Sequence, residues 1–366
     1  MTGDTPAILP ITMPLQTTVI GSYPKPEYLS FLPDWFNRES SENFSMEEYN
    51  KALLDHQQDL ELLTEKATRE VIDEQSEIGI DVITDGEIVR ENYVYHMCRQ
   101  IKGIDFVNTK RISMRNGACT IDCPVIVSKL EERDGPSQWT QWKRAQAMSK
   151  KPVKYTLPGP MTILGSTHLD KGGAYQSHRE VSEDLVLIIN QEIHALANAG
   201  CKFIQVDEPV LVRNPDVALE YGIDHLKRCF QGIGPEVTKV IHLCCGYPNY
   251  LDQEDYLKAD PLIVHILAEK LDNIGIDQIS IEDAHSYNNL ELFSKFKKTK
   301  VIVGVVKIAS SKIESKEEIC KRVTDILKYI PSERLILAPD CGLAFLADPE
   351  LRKTKLKTMV AVAKMF

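Results

Sequence analysis

No stretch of this 366-residue chain runs to the roughly eighteen apolar residues that a membrane-crossing helix needs. Clustered basic residues are missing too. Lys and Arg number 43 against 53 Asp and Glu, for a formal charge of −10 and a pI near 5.5, which argues against the surface that neutralises nucleic-acid phosphates. The opening residues MTGDTPAILPITMP lack the basic start and continuous apolar stretch of a secretory signal, so a cytoplasmic protein is expected. The nine cysteines are odd in number and without small-domain spacing. A disulfide framework is therefore not expected, and the thiols are left as core filler, metal ligands or nucleophiles. No internal repeat, coiled coil or low-complexity linker divides the chain, which favours a single domain.

What the chain has instead is a rhythm. Eight short apolar, β-branched runs end in Gly, Pro or acidic residues: 17–24, 80–87, 153–160, 202–209, 239–246, 278–284, 300–310 and 334–342. Amphipathic helical patterns lie between them, at 46–78, 179–199, about 250–272, 287–297, 315–329 and 349–365. Near-continuous hydrophobic strands that alternate with helices predict an α/β protein with a parallel sheet covered on its outer face, and the count of eight favours a single (β/α)8 TIM barrel. The barrel is expected over 17–366, after an irregular lead-in at 1–16. Residues 98–150 break the rhythm, and RISMRNGACTIDCPVIVSKL within them reads as an inserted β-hairpin or arm between the second and third strands.

In such a barrel the active groups stand where strands end and βα loops begin. The chain places there Ser22, Asp85, Glu87, Asp207, Glu208, His242, Cys244, Glu282, Asp283, Asp340 and Cys341. Any one of the acids could simply cap the following helix. His242 and Cys244 are two apart, so on a strand they share a face and could bind one ion. Neighbouring strand ends could add Glu282 and Cys341. Imidazole, thiolates and one carboxylate favour zinc over hard cations, with unrelated core thiols as the alternative. Cys245 points the other way and reads as a packed thiol.

Seven ordered motifs carry a resemblance over nearly the whole chain: IGSYP at 20–24, DGE at 85–87, LPGPMTIL at 157–164, IQVDEP at 204–209, HLCCG at 242–246, SIEDAHS at 280–286 and PDCGL at 339–343. Together they resemble the catalytic barrel of cobalamin-independent methionine synthases. The length resembles the short members of that group, which include archaeal methionine synthases and epoxyalkane:coenzyme M transferases. The resemblance implies zinc on His242, Cys244, Glu282 and Cys341. It also implies homocysteine contacts from Ile20, Gly21 and Ser22, and an amine contact from Glu87 and Asp207.

The donor side departs from the folate-using members. Their pterin-stacking Trp after the third strand is replaced here by Gly165 and Ser166, and their Asp-Ile-His-Ser segment by Lys307-Ile308-Ala309-Ser310. The basic residues after PDCGL give way to Ala344, Phe345 and Leu346. Transfer to a small thiol such as homocysteine is therefore expected, with the donor open between methylfolate, a corrinoid methyl group that a donor protein could carry, and an epoxide passed to a thiol such as coenzyme M. His285 or His168 could substitute for the missing acid and Lys307 could serve an epoxide reaction as its cation, against the plainer reading of all three as ordinary hydrogen-bonding or solvated residues. A metal-free decarboxylase of the uroporphyrinogen type and a non-catalytic zinc-binding relative are the competing readings.

Overall fold

The computed structural model describes residues 14–32, 46–114, 119–132, 138–170, 173–248, 250–253 and 255–366. Its strands are β1 (Gln16–Thr17), β2 (Ile83–Thr84), β3 (Ile101–Met114), β4 (Cys119–Glu132), β5 (Val153–Pro158), β6 (His168–Leu169), β7 (Phe203–Asp207), β8 (Thr238–Leu243), β9 (Gln278–Ile281), β10 (Lys300–Val306) and β11 (Leu335–Pro339). Eight of them form one sheet in the order β1-β11-β10-β9-β8-β7-β5-β2, and the register between neighbours is parallel throughout. The sheet curls until its edges meet: Thr18 and Val82 form a parallel bridge, and the Asp81 and Val82 amides donate to the Thr17 carbonyl at 3.2 and 3.1 Å. This is an α/β fold consistent with a TIM-like barrel.

Each sheet strand falls within, or within one residue of, an apolar run, but is shorter than it. The Gly, Pro and acidic residues that close each run leave the ladder and become the βα loops. The helical pattern at 46–78 is interrupted, giving helices Met46–Asp55 and Leu60–Ile78. The pattern at 250–272 yields a helix only over Leu262–Leu271. Local stop and start signals account for other ends. Gly79 and Gly200 take the left-handed conformation (φ 99° and 105°) that closes helices Leu60–Ile78 and His178–Ala199. Ser315 and Glu318 form a capping box on Lys316–Ile326.

The outer face of the sheet packs with the helices into the main hydrophobic core, while Ile20, Val240, Ile302, Ile336 and Ala338 form a separate apolar cluster inside the curl. That second cluster fixes the parity of the strands. Side chains in phase with Val240 in β8 and Ile302 in β10 point inward.

Between β2 and β5 the chain forms an antiparallel pair, β3 with β4, joined by the short parallel β6. The connection at 115–118 lies outside the described residues, as do residues 1–13 of the lead-in. The Trp-bearing segment after this pair is a helix, Gln138–Ala147, tied to β5 by the Trp142 indole N–H on the Val153 carbonyl at 3.0 Å. Among the described residues no helix is long and apolar enough to cross a membrane.

Candidate active site

Because the sheet is parallel, all its strands end at one mouth, and a cavity of about 630 Å³ opens there. Ile20, Gly21, Ser22, Glu87, Asp207, His242, Cys244 and Cys341 all line it.

His242 is in phase with the inward Val240, and Cys244 comes just past the end of β8. Both are buried, at 3% and 5% exposure. The Ser280 hydroxyl on β9 contacts His242 Nδ1 at 2.9 Å, which turns Nε2 toward the thiols. Cys341 arrives from the loop after β11. Its turn is locked by the Leu343 N–H on the Ser22 carbonyl (2.7 Å) and by the Tyr247 hydroxyl on the Gly342 carbonyl (2.8 Å). His242 Nε2 lies 3.4 Å from Cys341 Sγ, and Cys341 Sγ lies 3.7 Å from Cys244 Sγ. These three ligand atoms all fall within 4.8 Å of one another. Cys341 donates to Cys244, which pulls the Cys244 thiol well below its ordinary range and pushes Cys341 well above it.

Of the four expected ligands, Glu282 stands apart from this trio. Its Oε1 pairs with Lys258 Nζ at 2.6 Å and its Oε2 accepts the Cys245 N–H at 3.3 Å. Burial first, and then the charges of Cys244 and Asp340, push its carboxyl up to about 8 against the pull of Lys258. The Cys245 side chain belongs to the main core, and burial raises its thiol.

The same mouth carries a pair of acids: Asp207 ends β7 in register with His242 on the neighbouring β8, and Glu87 stands in the turn after β2. Glu87 sits at φ 56°, in the left-handed region that a glutamate adopts only when its surroundings hold it there. They do: its N–H donates to Asp85 Oδ1 at 2.9 Å, its Oε1 accepts the Thr156 hydroxyl at 2.6 Å, and the buried Arg90 guanidinium lies 3.7 Å away. Asp207 Oδ1 accepts the Gln205 amide at 2.7 Å. Burial lifts Asp207 to about 7 and also raises Glu87. An ammonium group entering between them would favour the charged form of both. A Cβ on Gly21 would stand 2.4 Å from Glu87 Oε1. Gly21→Ala should therefore displace that carboxylate and raise KM for an amine-bearing substrate by about tenfold or more, with metal content unchanged. Steady-state kinetics beside elemental analysis check this, and an unchanged KM would show that Glu87 does not touch the amine.

The other strand-end acids are structural. Glu208 accepts the Met161 and Thr162 amides and the Thr162 hydroxyl at 2.6–2.9 Å, at the start of helix Pro160–Gly165. Asp283 is held by both arms of Arg322 at 2.6 and 2.7 Å. Asp340 gathers the amides of Asp283, Ala284 and His285 at 2.7–2.9 Å and the His285 ring at 2.6 Å. Both nitrogens of the His285 ring are thus engaged, because the other one accepts the Ala309 N–H at 3.3 Å. His168 is half-buried on β6, away from the cavity lining. Lys307 lines a separate cleft of about 80 Å³ with Lys312, Glu314 and Arg322.

Sequence reasoning missed the cations. Arg90, Lys154 and Lys258 are all close to the site, and a lysine inside the apolar run VKYTLP was the one visible signal, since a charge is rarely buried without a partner.

A curled parallel α/β sheet whose mouth gathers a thiol–imidazole trio and a pair of buried acids has the build of an enzyme active site. The family model for the catalytic domain of cobalamin-independent synthase matches residues 15–365. The methionine synthase of Saccharolobus solfataricus is 32% identical over 96% of this chain and 94% of its own, and that of Sulfolobus acidocaldarius is 31% identical over 96% and 91%. The solved structure of a B12-independent methionine synthase from Shewanella sp. W3-18-1, in complex with selenomethionine, superposes with a TM-score of 0.78 at 26% identity, covering 96% of this chain and 98% of that one. The chain belongs to the cobalamin-independent methionine synthase family, a family of methyltransferases.

Proposed function

We propose that this chain transfers a methyl group to the thiol of homocysteine, with zinc held by His242, Cys244, Cys341 and, as fourth donor, Glu282. The observation that carries the reading is the meeting of one imidazole and two thiols on the same cavity as Glu87 and Asp207. A tetrahedral ion with bonds of about 2.3 Å to sulfur and about 2.0–2.1 Å to nitrogen sets two sulfurs about 3.8 Å apart and a sulfur and a nitrogen about 3.5 Å apart. The 3.7 and 3.4 Å separations here support that fit. When bound, zinc would keep a substrate thiol deprotonated at neutral pH, where a free thiol is mostly protonated.

The chain's own residues do the rest. Ser280 fixes the tautomer and direction of His242. Glu87 and Asp207 bind the acceptor's ammonium, and Ile20, Gly21 and Ser22 hold its backbone through N–H and hydroxyl groups. Glu282 must leave Lys258 to act as a donor. The selenomethionine in the Shewanella relative supports an amino-acid ligand. The described residues from Gln16 onward act as one (β/α)8 barrel, with about 98–150 as an inserted arm. A reducing cytoplasm suits its thiols. The donor is of a class that needs no stacking ring and no nitrogen acid, such as a corrinoid-bound methyl group or an activated alkyl electrophile.

Elemental analysis should find one zinc per chain, and chelation should abolish formation of methionine from homocysteine. Glu87→Gln and Asp207→Asn should each raise KM for homocysteine at least about tenfold, while coenzyme M, which has no amine, shifts far less. Equal shifts for both thiols would remove the amine assignment. Undiminished activity without metal would remove the zinc.

A further inference from the structure

We infer that Lys154 is a positioning residue for the acceptor pocket: from inside the barrel its ammonium group holds the first strand's exit turn in register with Glu87 and Asp207. The inference rests on the amino-thiol reading above.

Lys154 is the second residue of β5 and is 1% exposed. A buried lysine is costly unless it is well paired, so a Met or Leu here would be the cheaper filler. Its Nζ donates to the Val19 carbonyl at 2.6 Å. Burial pulls its ammonium down to about 7, and Asp207 and Glu87 are the charges that oppose that pull. The contact belongs to a set. The next carbonyl, of Ile20, accepts the Gln205 amide at 3.1 Å, and the one after, of Gly21, accepts the Thr84 hydroxyl at 2.9 Å. Three consecutive carbonyls are thus held by inward side chains of β5, β7 and β2.

Gln205 uses the same nitrogen to hold Asp207 at 2.7 Å, so the turn and the acid are fixed by one bracket. With its carbonyls tied down into the barrel, the turn can present its amides and the Ser22 hydroxyl to the cavity. Removing Lys154 leaves the Val19 carbonyl, in a dry interior, with only the longer contact of the Thr18 hydroxyl at 3.2 Å, a hydroxyl that bonds the Val82 carbonyl more closely at 2.8 Å, and the turn is then free to shift.

The test is Lys154→Met in the zinc-loaded full chain. Homocysteine binding is measured by calorimetry, with KM and kcat for homocysteine and for 2-mercaptoethanol, metal content and melting temperature alongside. The expected result is a fall in homocysteine affinity of about tenfold or more, matched in KM. At saturating acceptor kcat should stay within about threefold, metal content should be normal, and 2-mercaptoethanol should change little. Thr84→Val, which frees the Gly21 carbonyl and the Gly86 N–H with almost no change of shape, should shift KM in the same direction and covers the case in which Lys154→Met does not fold. A purely structural lysine would lower the active fraction, and so kcat, without moving KM, and that result overturns the inference. Unchanged homocysteine affinity in both variants, with the parent binding normally, overturns it alone. A parent that does not bind homocysteine overturns the acceptor reading and this inference together.

Discussion

Cys244→Ser and Cys341→Ser should each strip most of the metal from the protein and lower methyl transfer by more than about 100-fold. That factor is a lower bound, because removing only an outer partner of a ligand typically costs about 10–100-fold. Serine keeps the size but not the thiolate, and its hydroxyl does not ionise near neutral pH. The two thiols are also coupled. Cys341 gives its proton to a hydrogen bond with Cys244, 3.7 Å away, so removing either leaves the other without the partner that sets its ionisation. Cys245→Ser is the control. Its side chain packs in the main core while its backbone N–H reaches Glu282, so the variant should retain its zinc and lose only about 1–3 kcal/mol of stability from burying a hydroxyl. Elemental analysis of the three variants decides the matter, and equal metal loss in all three would mean that the wrong thiol pair has been chosen.

How much of this was legible in the residues depends on the kind of pattern involved. The eight strands were visible because strands buried on both faces read as unbroken apolar runs with abrupt ends. His242 and Cys244 were visible as a pair because a spacing of two means one face whatever the fold. Cys341 could be placed at a strand end, but its approach to His242 depends on Tyr247 and Ser22 holding its turn, and no local spacing records that. Glu282 ends the right strand, yet Lys258, 24 residues earlier, claims its carboxylate.

The unbroken runs that reveal the strands also conceal which residues point inward, and so Lys154 and Gln205 escaped notice. Lys307 shows the converse, that alternation alone does not place a residue past the end of a strand. Two-residue alternation along β10 is broken by a register shift between Gly304 and Val306, and such a bulge re-aims the residues beyond it. Lys307 accordingly ends beside Glu314 in its own cleft and not at the mouth.

Methyltetrahydrofolate should be a poor methyl donor for this enzyme, at least about 100-fold slower than a corrinoid-bound methyl group with the same homocysteine. Transfer from folate leaves an amine anion unless a positioned acid protonates the nitrogen, and losing such an acid typically costs about 10²–10⁴ in rate. Ala309 occupies the position that the resemblance gives to that acid, and it offers no side-chain proton. The nearest imidazole cannot stand in. His285 directs Nδ1 to Asp340 at 2.6 Å and uses Nε2 to accept from Ala309 itself at 3.3 Å, so both nitrogens are committed to holding the loops after β9 and β10. Binding should suffer as well, because Gly165 and Ser166 form the cavity wall where a stacking ring would lie, and an aromatic contact is worth about 0.5–1.5 kcal/mol beyond its buried area. A donor whose leaving group needs neither proton nor stack avoids both losses. The measurement is methionine formation by zinc-loaded protein from methyltetrahydrofolate and, separately, from methylcobalamin, at matched concentrations and fixed homocysteine. Turnover from the folate at about 1 per second or faster, an ordinary enzymatic rate, would mean that another group protonates the leaving nitrogen. His285→Gln would then be the first variant to examine, since it removes the ring while keeping an amide able to bond to Asp340.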